Sequence, residues 1–282
     1  MKSFFITKQL PVWAVAMLCA AAPYAQASDI ASVDIFKNIA YIQTSGAAPT
    51  TPSSYFADVE LTSVGPNDYS SVMVSYPGPG SPTSLPMASP NFFSYGPGFA
   101  TQAAMNAAIP FGTYNYLTNT GDTAALSYTQ DSFAAAIPAL TSSSFNALNG
   151  LNPNTALSIG FNSFTPAANA TVGYTFFSIR DSTGTVFSDG FLSGSATSLM
   201  LPGGTLAANS TYTYELDFSD RINGSDPGSG VPTFLGSDVR TDGTFTTGSA
   251  GAITTTPEPG TLMLMGSGML AMLGAIRRKL AR

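Results

Sequence analysis

The chain contains no histidine. That absence removes Ser-His-Asp and Cys-His nucleophile activation, imidazole-ligated zinc and imidazole acid–base work. Cysteine is almost as scarce: Cys19 is the only one, so no intramolecular disulfide can form in any compartment. The only tryptophan, Trp13, lies in the same N-terminal stretch. Charged residues make up 9% of the chain, and one sign is nearly missing from its body. Between Ser28 and Thr256, four basic residues (Lys37, Arg180, Arg221, Arg240) stand against fifteen acidic ones, a net charge of −11. Such a surface repels nucleic acid and anionic lipid, and it suits solubility outside the cell and divalent cations. No G-x-x-x-x-G-K phosphate loop occurs, and no G-x-G-x-x-G follows a strand and opens a helix. An enzyme built on this chain would rely on carboxylates, tyrosine, lysine or bound metal.

What the sequence does have is concentrated first at its two ends. Lys2 and Lys8 form a basic segment, residues 12–22 an apolar one, and Ala25-Gln26-Ala27 an A-x-A site. Together they predict a secretory signal peptide over residues 1–27, cleaved after Ala27 to leave Ser28 first, with the Sec machinery as partner. Leu18 in front of Cys19 does not fit a lipoprotein cleavage box, so Cys19 is an ordinary residue of the apolar segment. At the other end Pro257-Glu258-Pro259 precedes an uncharged run over residues 260–276, then Arg277-Arg278-Lys279. As a helix that run would be about 26 Å long, slightly short of the roughly 30 Å bilayer core. It predicts a short transmembrane helix with the basic cluster left in the cytoplasm and the body outside.

A Pro-Glu-Pro motif, a span containing Gly266, Gly268 and Gly274, and a terminal basic cluster, in that order, resemble the PEP-CTERM sorting signal of Gram-negative bacteria. A similar tail occurs on some proteins described as ice-binding. The resemblance covers residues 257–282. It implies an exosortase as partner, transient insertion in the inner membrane, cleavage near Pro257 to Pro259, and release or attachment at the cell surface. An apolar C-terminal run that is simply a permanent anchor is the plainer alternative.

Between the two ends the pattern is β throughout. Val33 and Ile35 flank Asp34, Val59 and Leu61 alternate with Asp58, Glu60 and Thr62, and Val72, Val74 and Tyr76 alternate with polar residues. The helical candidate is residues 101–108, ended by Pro110. A hairpin is expected across residues 181–184. Residues 211–218 read as a strand with Tyr212, Tyr214, Leu216 and Phe218 on one face. Turn chemistry at Asn119-Thr120-Gly121-Asp122 suggests a division into a sandwich over 28–118 and a second over 119–248, with a single large sandwich as the alternative. Residues 249–256 read as a flexible spacer.

Leu206-Ala-Ala-Asn-Ser210-Thr-Tyr212 resembles the corner segment of fibronectin type III and related Ig-like domains. The resemblance implies an antiparallel Ig-like sandwich in which the Tyr212 hydroxyl bonds to backbone a few residues upstream. The core tryptophan of that family has no counterpart in the mature chain.

Two clusters invite a ligand. Asp217, Asp220, Asn223 and Asp226 place oxygen donors in a stretch read as the loop 217–230, suited to Ca²⁺ though not in EF-hand spacing; turn residues explain the same pattern. Phe92, Phe93 and Tyr95 sit in a Pro/Gly-rich stretch that would offer flat faces to a sugar or partner, or would plug the end of a sandwich. Glu60 and Glu215, the only glutamates of the mature chain, fall at outward strand positions. The expectation is thus an all-β, exported, non-enzymatic protein with a structural or adhesive role in the envelope or an exopolysaccharide (biofilm) matrix. A carbohydrate- or calcium-binding module and a carboxylate-based hydrolase are the alternatives.

Overall fold

The computed structural model describes residues 28–251. The signal peptide, the Pro-Glu-Pro motif, the basic cluster and the expected transmembrane helix lie outside the described residues. Among the described residues no helix is long and apolar enough to cross a membrane.

The first half of the chain forms β1 (Ile30–Ile42), β2 (Ser54–Ser63), β3 (Val72–Ser75), β4 (Thr83–Leu85), β5 (Met87–Ser89), β6 (Phe92–Tyr95) and β7 (Gly98–Phe99), then α1 (Gln102–Ala108), β8 (Gly112–Thr118) and β9 (Thr123–Tyr128). The second half forms α2 (Ser142–Leu148), β10 (Leu157–Gly160), β11 (Val172–Asp181), β12 (Gly184–Ser193), β13 (Ser198–Leu201), β14 (Thr211–Ser225) and β15 (Pro232–Thr246). The described residues are all-β apart from the two short helices. In α1 the Thr101 side chain caps the first turn by accepting from Ala104 N–H. The sequence pattern pointed to one helix only. The second forms from the polar run SSSFNAL because Thr141 caps it and Phe145 and Leu148 are buried beneath it.

Nine strands build one sheet in the order β12-β11-β14-β15-β1-β2-β6-β5, with β7 also on β2. Every pair is antiparallel except β1 with β15. Two smaller sheets cover its inner face: β4-β3-β8-β9 over one half and β10-β13 over the other. Two separate cores result. The first gathers Val33, Ile35, Val59, Leu61, Val72, Tyr116 and Leu126; the second gathers Ile39, Ile159, Phe177, Leu201, Leu216 and Phe218.

The long central strands serve both cores, and a polar row marks where one core ends. Lys37 of β1, Ser237 of β15 and Asp220 of β14 lie side by side across the sheet, all on the inner face. Ile35 and Leu235 on one side of that row belong to the first core, Ile39, Val239 and Phe218 on the other to the second. The row is polar because connecting chain crosses it and its backbone and side chains need partners. Ser237 Oγ accepts from Ser132 N–H at 2.9 Å, Asp220 Oδ2 from Ala167 N–H at 2.9 Å, and Lys37 Nζ lies 3.5 Å from Asp131 Oδ1.

This arrangement corrects the division at 118/119. Residues 119–122 are the turn joining β8 to β9 within one sheet, so the strands on either side pair with each other. The chain passes from the first small sheet to the second along the seam, after β9, while β1 at one end and β15 at the other pair through both halves. The spacer reading also needs trimming. Gly248 N–H bonds Leu151 O at 2.9 Å, and Gly251 O accepts from Asn154 Nδ2 at 3.2 Å.

At the corner before β14, Tyr212 Oη accepts from Ala207 N–H at 2.8 Å, and its ring stacks on Phe245 at 5.7 Å. Tyr212→Phe leaves that N–H without its partner, which should lower stability by about 0.5–1.5 kcal/mol in a chain that still folds. Urea melts of the two proteins measure it, and coincident curves would show that the hydroxyl does not hold the corner.

Candidate functional site

Among the described residues no sheet covers the outer face of the nine-stranded sheet, and its side chains fall in cross-strand rows. One row runs Glu60, Asp34, Phe234, Asn223 over β2, β1, β15 and β14. The next runs Asp58, Phe36, Gly236, Arg221, and the third Phe56, Asn38, Asp238, Ser219, Tyr174, reaching β11. Three of the four basic residues of the mature chain lie on this face. Arg221 Nη1 bonds Asp238 at 2.6 Å, while Arg180 and Arg240 both reach Glu215, at 3.1 and 3.5 Å.

Gly236 sets the geometry of the middle row. With no side chain there, the Phe36 ring and the Arg221 guanidinium close over the backbone, 4.5 Å apart in a cation–π stack. A Cβ at 236 would lie 2.0 Å from Phe36 Cδ1 and 2.5 Å from Arg221 Nη1, so any larger residue pushes the pair apart. Beside them Asp34 is only 7% exposed; its Oδ2 accepts from Ser32 Oγ at 3.2 Å, and its Oδ1 has no hydrogen-bond partner among the described residues. Burial pushes the Asp34 carboxyl up to about 6, against the Ser32 hydrogen bond and the Arg221 charge. Burial, followed by the Asp58 and Asp34 charges, pushes Glu60 to about 8. Asp58 is also raised, mainly by burial.

An open groove of about 420 Å³ lies here, with Asp34, Phe36, Arg221, Asn223 and Phe234 along it. Its far wall is Tyr174 and Phe191, which meet edge to face at 5.3 Å. Phe191 is 69% exposed and sits at φ 49°, a left-handed conformation uncommon for a bulky residue. The groove therefore combines flat aromatic faces, a buried carboxylate with a free acceptor, and a fixed guanidinium.

Of the described residues singled out from the sequence as ligand candidates, Asn223 borders this groove and the others fall elsewhere. Phe92, Phe93 and Tyr95 are on strand β6, not a loop; Phe93 is fully buried and Tyr95 packs on the same first core, so the expected patch is not presented to a ligand. The expected loop 217–230 is strand as far as Ser225, which sends its carboxylates to opposite faces. Asp217 lies outward in register with Arg240, Asp220 lies inward at the seam, and Asn223 borders the groove. Asp226 closes the β14–β15 turn, accepting from Gly228 N–H, Ser229 Oγ and Ala125 N–H at 3.0, 2.6 and 3.2 Å. The four do not converge, and no group of three or more acidic side chains placed to hold a metal occurs among the described residues. Of the sorting and cleavage residues, only Ser28 is described, its Oγ accepting from Ile30 N–H at 3.2 Å. Ala25, Ala27, Pro257, Glu258, Pro259, Arg277, Arg278 and Lys279 lie outside the described residues.

The groove has a sequence signal. Phe36, Tyr174 and Phe234 occupy the strand positions that alternation assigns to solvent, where aromatics have no core to join.

Comparison with known proteins bears on the end of the chain first. Residues 255–279 match the PEP-CTERM protein-sorting motif. The PEP-CTERM tail implies export to the cell surface and processing by an exosortase. No curated protein sequence matches the chain. Among solved structures, the chain is similar to a Ca²⁺-stabilized adhesin of an Antarctic bacterium, at 15% identity, TM-score 0.26, and 77% coverage of this chain. It is also similar to a 1.5-MDa bacterial ice-binding adhesin, at 15% identity, TM-score 0.23, and 77% of this chain against 64% of that one. A third likeness is to the FN1–FN3 domains of chicken CNTN1, at 13% identity, TM-score 0.24, and 72% of this chain against 67% of that one. The chain spans about half, 49%, of the first of these. Likenesses at such scores assign neither ligand nor role.

Proposed function

We propose that this is an exported, non-enzymatic protein of the cell surface or extracellular matrix, with a structural or adhesive role, delivered by its N-terminal signal and by exosortase processing of its tail. The observation that carries the reading is the sorting motif over residues 255–279. The acidic, cysteine-free body agrees with it, since a net charge of −11 over residues 28–256 favours solubility outside the cell. On this reading the apolar run holds the chain in the inner membrane only until an exosortase cuts ahead of it, so the mature protein has no anchor of its own.

Processing gives a direct test in the native host. An epitope tag after Arg282 should be absent from the released protein, while a second tag between residues 252 and 256 persists. Replacing Pro257, Glu258 and Pro259 with alanine should hold the full-length chain in the membrane fraction, because residues 260–276 remain uncharged and still insert. Exported protein that keeps its C-terminal tag would replace processing with a permanent anchor.

A further inference from the structure

Outside the sorting tail, the feature of the molecule least explained by folding is the groove on the outer sheet face. A core does not need Phe191, which stands 69% exposed on β12 at a left-handed φ of 49°. Nor does it need Asp34 buried to 7% exposure with one carboxylate oxygen unpartnered, a placement that costs free energy unless something bonds it. Both line the same space, with Tyr174, Arg221 and Asn223 between them. At about 420 Å³ the groove falls within the size of small-ligand sites, roughly 300–1,000 Å³.

The charges in the groove select the ligand class. An anionic chain meets the Asp34 carboxylate, on a body of net charge −11. A cationic ligand meets the Arg221 guanidinium, which Asp238 and Phe36 hold in place at 2.6 and 4.5 Å. An uncharged polyol meets neither penalty. Its hydroxyls can donate to the Asp34 carboxylate, which borders the groove, and accept from Arg221. The C–H face of a pyranose ring is apolar with a partial positive edge, and it lies well on the electron-rich face of an aromatic ring. We propose that this groove binds a hexopyranose unit of an uncharged polysaccharide, stacked on Phe191 and Tyr174 and hydrogen-bonded by Asp34, Arg221 and Asn223. The proposal deepens the matrix reading and rests on it for the source of the ligand.

Full-length protein, detergent-solubilised where it is membrane-bound, is run by affinity electrophoresis through gels holding β-1,3-glucan, β-1,4-glucan, mannan, galactan, a polyuronate or a polyglucosamine. Retardation by at least one of the four neutral polymers is expected, competed by its own short oligosaccharides. Phe191→Ala and Asp34→Asn should each weaken that binding by about tenfold or more with the fold intact by circular dichroism. Met200→Ala, an exposed residue on a different sheet, should leave it unchanged. Failure to bind any neutral polymer, equal binding by Phe191→Ala and Asp34→Asn, or a preference for polyuronate or polyglucosamine overturns the proposal. Because the assay is done in vitro, its failure leaves the tail-processing result standing, and failed processing leaves the binding result standing.

Discussion

Lys37→Ala is expected to lower the stability of the folded chain by about 3 kcal/mol or more, against the 5–15 kcal/mol that typically holds a folded protein together. Lys37 is 1% exposed and sits on the inner face of β1, between the two cores. Its ammonium bonds Asn106 Oδ1 of α1 at 2.9 Å, lies 3.5 Å from Asp131, and stands over the rings of Tyr128 and Phe111 at 4.7 and 5.3 Å. Burial pushes its pKa down, and the Asp131 charge opposes that. Alanine removes the stem that fills the seam and, among the described residues, the cation paired with Asp131, leaving a cavity and a carboxylate without that counter-charge. Lys37→Met keeps the stem volume and should lose less. Guanidinium melts compare the three proteins; a loss below about 1 kcal/mol for Lys37→Ala would mean that the seam is held by the backbone bonds of Ser237 and Asp220 instead.

The second expected result concerns pH. Most proteins lose stability on acidification because their paired carboxylates have lowered pKa values; here the outer face is built the other way. Asp34 is pushed up to about 6 and Glu60 to about 8, both chiefly by burial, and the two face each other in register across β1 and β2. In the unfolded chain both titrate near 4. Between those values the folded protein binds more protons than the unfolded one, so stability is fullest near the unfolded pKa and falls as pH rises through 6 and then 8. Going from pH 5 to pH 9 should therefore destabilise the protein by on the order of 2 kcal/mol, a figure reduced for the partial exposure of Glu60. Asp226 sets the acid limit. Burial opposes its ionisation, but the bonds from Ser229, Gly228 and Ala125 outweigh that and hold its carboxyl low, so its contribution fades only as pH drops below the usual carboxylate range. Thermal melts at constant ionic strength should show Tm rising from pH 9 to pH 5, and Glu60→Gln should remove most of that slope. A flat profile, or one that rises toward alkaline pH, would show that these carboxyls are solvated and ionised.

Local pattern alone made much of this protein legible. Alternation at Val33, Ile35, Val59, Leu61, Tyr212, Tyr214, Leu216 and Phe218 identified both the strands and the faces they bury, because a strand's side-chain period of two depends only on its own backbone. The helix expected over residues 101–108 and the 181–184 turn were equally local, Asp181 accepting from Thr183 and Gly184 within four residues. The sorting motif was legible for a different reason: a segment read by an enzyme is defined by residue order and needs no fold around it. What the sequence could not supply was which strands become neighbours. The parallel pairing of β1 with β15, some two hundred residues apart in the chain, brings Asp34, Phe36, Phe234 and Arg221 onto one face, and no local period encodes such a pairing. The same pairing turned an expected boundary at residues 119–122 into an ordinary hairpin and placed the true seam at Lys37, Ser237 and Asp220. It also decided that Phe93 is core while Phe191 is exposed, since burial depends on what covers a face, and only the packing of the smaller sheets on one side of the large one settles that.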